Sequence, residues 1–159
     1  AGLVKGARDD VSDKVKQVLE RNRKLEKEVS QLKSKLASGQ GKDLSESAVA
    51  VAGTQLVAKE IPGADVAALR TAVDQLKDKL QSAVIVLAAV DEHDKVVIIV
   101  GVTKDQTSRF KAGELANFVA QQVGGRGGGR PDMAQAGGSE SAKLAGALES
   151  VSGWLQSHA

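Results

Sequence analysis

The sequence runs to 159 residues, 42% of them apolar and 26% charged, with a formal net charge of +2. That length suits one compact domain with an appendage. The absence of cysteine excludes disulfides and thiolate metal sites and fits a reducing, cytoplasmic setting.

The chain opens without Met on a stretch that soon becomes helical, as expected of an excised fragment, and shows no signal-peptide layout. From Val11 the apolar residues fall at Val15, Val18, Leu25, Val29, Leu32 and Leu36. With Asn22 filling the gap, the spacing alternates 4 and 3, a heptad period that predicts a long coiled-coil-like helix over residues 1–38. Val15, Asn22 and Val29 take the a positions; Val18, Leu25 and Leu32 take the d positions. β-Branched a residues and one a-position asparagine favour a parallel two-stranded coil. Arg21 would then meet Glu26 of a second copy, and Glu28 would meet Lys33. Leu19 breaks the pattern, and about four heptads are marginal on their own. Packing against the same chain, or against a helix of a larger parent, is therefore an open alternative. The basic excess of this segment could also graze a nucleic acid.

Gly39 and Gly41 predict a hinge at 39–43, followed by an α/β domain over 44–159. Residues 48–52 and 55–61 read as short strands joined near Gly53, and Pro62-Gly63 ends the second. A helix follows, with Leu69, Val73, Leu76 and Leu80 inward and Arg70, Asp74, Lys77 and Asp78 outward. Residues 83–90 are apolar on both faces, a central strand too short to cross a membrane. Asp91 to Asp94 form a polar turn, and residues 96–102 return antiparallel beside it. Residues 111–123 predict a helix with Leu115, Phe118, Val119 and Val123 inward and Gly124 just past its end. A last helix over about 139–157 buries Leu144, Leu148, Val151 and Leu155. The sum is a mixed β-sheet with packed helices, and no internal repeat is visible.

Between the last two helices lies a glycine-rich stretch, 124–138, holding seven of the seventeen glycines. Ordering so much glycine costs entropy that must be offset. Read as a loop, Gly125, Gly127, Gly128 and Gly129 would aim backbone N–H groups into an anion nest, with Arg126 and Arg130 adding forked donors. A mobile linker is the plainer alternative, although the inserted Arg130-Pro131-Asp132-Met133-Ala134 is not linker composition. Lys104, Arg109 and Lys111 join the two arginines in a locally basic segment opposed only by Asp105 and Glu114. Phe110, Phe118 and Trp154 are the only aromatics, so a nucleic-acid reader built this way would lean on backbone donors and charge.

No catalytic constellation is visible. His93 sits in a polar turn and His158 next to the C-terminus, neither with a metal-ligand partner at useful spacing. Asp132 alone is no active site; it is expected to cap backbone N–H groups or to orient Arg130.

The glycine string resembles the signature of the DHH-associated domain, found in DHH-type phosphoesterases and at the C-terminus of alanyl-tRNA synthetases. Residues 84–90, 101–105, 111–115 and 119–123 read like the synthetase branch, and the similarity covers nearly the whole chain. The resemblance implies a non-catalytic module that binds the elbow of alanine tRNA, links aminoacylation to editing beside the other domains of the parent, and forms a homodimer. It implies no metal or cofactor in this fragment. The alternative within the resemblance is the substrate-gripping half of a phosphoesterase acting on short nucleic acids, whose metal ligands belong to a separate domain.

Overall fold

The computed structural model describes the backbone of residues 2–159 and the side chains of 11–32 and 44–159. Two compact units are distinguished, Ala1–Leu32 and Lys33–Ala159. Helix α1 is assigned to Gly2–Glu46. The side chains of 39–43, where a hinge is expected, and of Leu36 in the heptad series lie outside the described residues. In the first unit the heptad row is solvent-exposed, from 48% at Val29 to 61% at Val11.

The second unit is built on a six-stranded sheet in the order β1-β2-β3-β4-β6-β5. Its strands are β1 (Val49–Val51), β2 (Thr54–Glu60), β3 (Ala83–Val90), β4 (Val96–Val102), β5 (Arg126–Gly129) and β6 (Met133–Gly138). Only β2 and β3 run parallel, joined by helix α2 (Val66–Leu80); every other pair is antiparallel. Asp65 caps α2, its Oδ1 accepting from the Ala68 N–H at 2.7 Å. The remaining helices are α3 (Ala112–Gln122) and α4 (Leu144–Ser157), the latter entered through a short 3-10 turn at Ser141–Lys143.

The strands divide their side chains by parity between two cores. Val57, Ile85, Leu87 and Ile99 pack with Leu69, Val73 and Leu76 of α2. Val84, Val86, Ile98 and Val100 pack on the other face with Leu115 and Val119 of α3 and Val151 and Leu155 of α4. That double burial is why β3 reads as a continuous apolar run. The three aromatics are spent on this packing, the rings of Phe110 and Phe118 lying 6.4 and 6.1 Å from Trp154. Gly124 follows α3 with φ +69°, in the left-handed conformation expected of a helix-ending glycine.

The reading of the glycine-rich stretch is overturned. The glycine-rich stretch is not a loop or a nest but mostly a β-hairpin, with β5 forming the edge of the sheet. The last helix starts at Leu144, where its apolar stripe begins, and not at about 139, because a 3-10 turn at Ser141–Lys143 precedes it.

Candidate nucleic-acid interface

The hairpin owes its glycines to close backbone approach. Helix α3 presents Gly113, Ala116 and Ala120 to β5, and the two backbones run past each other almost in contact. Gly125 N–H donates to Ala120 O at 2.8 Å. A Cβ at Gly127 would stand 2.9 Å from Ala116 O and 2.4 Å from the Ala136 Cβ; one at Gly125 would stand 1.7 Å from Gly137 O. Real Cβ atoms do not come so near, so with a larger residue at Gly127 the helix could not seat on this strand, and with one at Gly125 the strand could not pair with β6.

Gly128 differs. It pairs with Gln135 and points to the other face, where an added Cβ would meet nothing within 4 Å. Its φ is not positive. The part expected of it in an anion nest is therefore corrected: it leaves open space instead.

Arg126 and Arg130 are exposed at opposite ends of β5. Four residues of extended strand separate their Cα atoms by roughly 13 Å. The strand holds them apart instead of curling them round a nest, so each is placed to meet its own phosphate. Arg130 lies in the turn between β5 and β6, at the end of the sheet where β4 finishes, since Gly101 pairs with Met133. The connection from β4 to α3 lies at the same end, tied to that turn by Val102 N–H to Asp132 O and Ala112 N–H to Pro131 O, both 2.9 Å. Lys104, Arg109 and Lys111 belong to this connection, so Arg130 and these three gather at one end of the sheet while Arg126 does not.

Their freedom differs too. Lys104 is exposed. Lys111 makes a solvent-open ion pair with Glu114 at 3.6 Å, worth little in stability. Arg109 donates from Nη2 to Ala52 O at 3.1 Å and lies over the Phe110 ring, clamping the tight turn between β1 and β2. Asp132 does not orient Arg130. Its carboxylate lies 3.9 Å from Lys77 Nζ, and its carbonyl accepts from the same ammonium at 3.2 Å.

Asp105 has its pKa lowered to about 2, chiefly by a hydrogen bond from Ser82 and then by Thr103 and Gln106, which stabilise the carboxylate. It pins the start of the β4–α3 connection. His158 stacks on Trp154 at 4.1 Å, and His93 is exposed in its turn. Among the described residues no group of three or more His, Cys, Asp or Glu could hold a metal.

Sequence reading missed a second row of polar groups. Arg70, on the outer face of α2, donates from Nη2 to Gln135 Oε1 at 3.1 Å across 65 residues of chain. With Asp74, Gly128, Arg130 and Asp132 they line a groove of about 520 Å³ on the α2 side of the hairpin. The only signal was the period of β6, in which Gln135 shares a face with the Gly137 and Met133 positions.

The DHHA1 domain family matches residues 53–157. The alanine–tRNA ligase of Burkholderia cenocepacia (strain HI2424) is 56% identical over 156 residues, 98% of this chain. That of Burkholderia mallei (strain NCTC 10229) is 55% identical over the same share. The chain spans 18% of the length of each of these curated relatives. Among solved structures, the C-Ala domain from Aquifex aeolicus alanyl-tRNA synthetase superposes with a TM-score of 0.65 at 27% identity. The match covers 69% of this chain and 97% of that one.

Proposed function

Since the chain belongs to the DHHA1 domain family, we propose that it serves as the non-catalytic, tRNA-holding domain of a cytoplasmic alanine–tRNA ligase. The observation that carries this reading is the 56% identity to such a ligase over 98% of the chain. The same relatives favour it over the phosphoesterase alternative. The geometry is compatible with a charge-led grip. Arg126, Arg130 and Lys104 stand exposed on or beside the hairpin, and phosphate contacts of this kind dominate affinity while carrying no sequence information. Gly125, Gly127 and Gly129 act indirectly in this reading, Gly127 by letting the hairpin seat on α3 and the other two by clearing the backbone of β6. Arg109 and Lys111 contribute charge at the same end of the sheet.

Docking at the tRNA elbow, a bridge between aminoacylation and editing, and a homodimer through Val15, Val18, Asn22, Leu25, Val29 and Leu32 complete the proposal. The exposed heptad row supports the last of these. The test is binding of the purified chain to alanine tRNA across a salt series. Arg130→Ala should weaken binding by about 1.5–3 kcal/mol, the worth of a charged hydrogen bond. It should also shallow the log-log salt slope by about one unit. No binding at low salt, with the protein folded, overturns the reading.

A further inference from the structure

The groove between α2 and the hairpin has the wrong charge balance for a phosphate and the right donors for a nucleobase. Its ionisable lining residues are Arg70, Arg130, Asp74 and Asp132, so its charges cancel. A phosphate entering it would meet two carboxylates, whereas a neutral, flat, hydrogen-bonding group would not be repelled. The hairpin side of the groove includes Gly128, where no side chain intrudes, leaving bare peptide against which a planar ring can lie.

The polar groups are already oriented. Gln135 Oε1 is occupied by the Arg70 Nη2 donor at 3.1 Å, which leaves the Gln135 amide to offer its two N–H donors. Arg70 keeps further donors in the plane of its guanidinium. Two adjacent donor groups match two adjacent acceptors on a base edge. The Hoogsteen edge of guanine presents O6 and N7 as such a pair, whereas adenine replaces one acceptor with an amino group.

Resting on the nucleic-acid-binding reading above, we propose that Arg70 and Gln135 form a base-reading pair that accepts an unstacked guanine through its O6 and N7, with Gly128 as the bare floor. Arg126 and Arg130 hold the flanking phosphates. Unstacked bases in loops are the usual targets of sequence-specific RNA readers, and an arginine plane also serves as a stacking surface.

The experiment compares two short unstructured pyrimidine RNAs, one carrying a single guanine and the other 7-deazaguanine, which lacks the N7 acceptor. Anisotropy titrations at fixed salt should show the intact protein preferring guanine by about tenfold, within the range of a bidentate base contact. Gln135→Glu, nearly isosteric but without the amide donors, and Arg70→Ala, at an exposed helix position, should bring that ratio close to unity. Both should leave the salt slope unchanged, because no phosphate contact is removed. Equal affinity of the intact protein for the two RNAs overturns the proposal, as does a preference that survives in both variants. So does failure to bind either short RNA while tRNA is bound. Failure on tRNA itself would instead sink the wider reading.

Discussion

Gly127 of β5 faces Ala116 of α3 so closely that an added Cβ would stand 2.9 Å from the Ala116 carbonyl oxygen. Alternate glycines thus serve packing on one face of the hairpin and openness on the other. Gly125→Ala and Gly127→Ala should each destabilise by about 1–3 kcal/mol or more through overpacking. Gly128→Ala, with free space and an ordinary φ, should stabilise by about 0.4–1 kcal/mol by restricting the unfolded chain. Urea denaturation of the three variants checks the contrast; a Gly128→Ala loss matching the others would refute it.

Arg126 and Arg130, at opposite ends of β5, should act on binding independently. Groups more than about 7–10 Å apart with no shared partner give additive free energies to within roughly 0.5 kcal/mol. A double-mutant cycle on tRNA affinity should close within that margin. Strong coupling would mean that both grip one anion after all.

Asp105 should make the stability of the domain sensitive to acid. Its folded pKa lies at about 2, below the ordinary aspartate value of 3.8. The deprotonated form is therefore the one the fold favours, and its contribution is present above about pH 4 and lost as pH falls through about 2. The carboxylate is exposed, so the effect is small and solvent-screened. Asp105→Asn should be less stable than the unaltered protein at pH 6, with the gap closing toward pH 2. Carboxyl chemical shifts followed by NMR would read the same midpoint directly. An Asp105 midpoint near 4 would be the contrary result.

Thr54 opens β2 nearly buried, at 3% exposure, and its hydroxyl has no hydrogen-bond partner. Replacing an unsatisfied buried hydroxyl by a methyl removes a desolvation cost of about 1–3 kcal/mol. Thr54→Val should raise the melting temperature. A lower one would indicate an unrecognised partner for the hydroxyl.

The exposed heptad row of α1 makes a further prediction about association. Asn22→Val should strengthen self-association and relax the choice of oligomer state, because a polar a residue fixes register at a cost in stability. Sedimentation across a concentration series reads both. A monomer for both proteins at high concentration would assign the row to some other partner.

Much of this protein is written in its side-chain periods. Leu69, Val73 and Leu76 recur at helical spacing, residues 83–90 are apolar throughout, and both elements form where those patterns lie. Pro62-Gly63 and Gly124 mark boundaries for local steric reasons that need no tertiary context. The hairpin could not be read in the same way. Strand signals are carried by alternating side chains, and Arg126-Gly127-Gly128-Gly129 has almost none to alternate. Glycine permits a nest, a linker or a strand equally; pairing with β6 and the approach of α3 selected the strand. The groove was decided in the same way. Arg70 and Gln135 are 65 residues apart and each is an ordinary surface residue in its own element. Only the crossing of α2 over the sheet brings the guanidinium to the amide, and no local pattern encodes that distance.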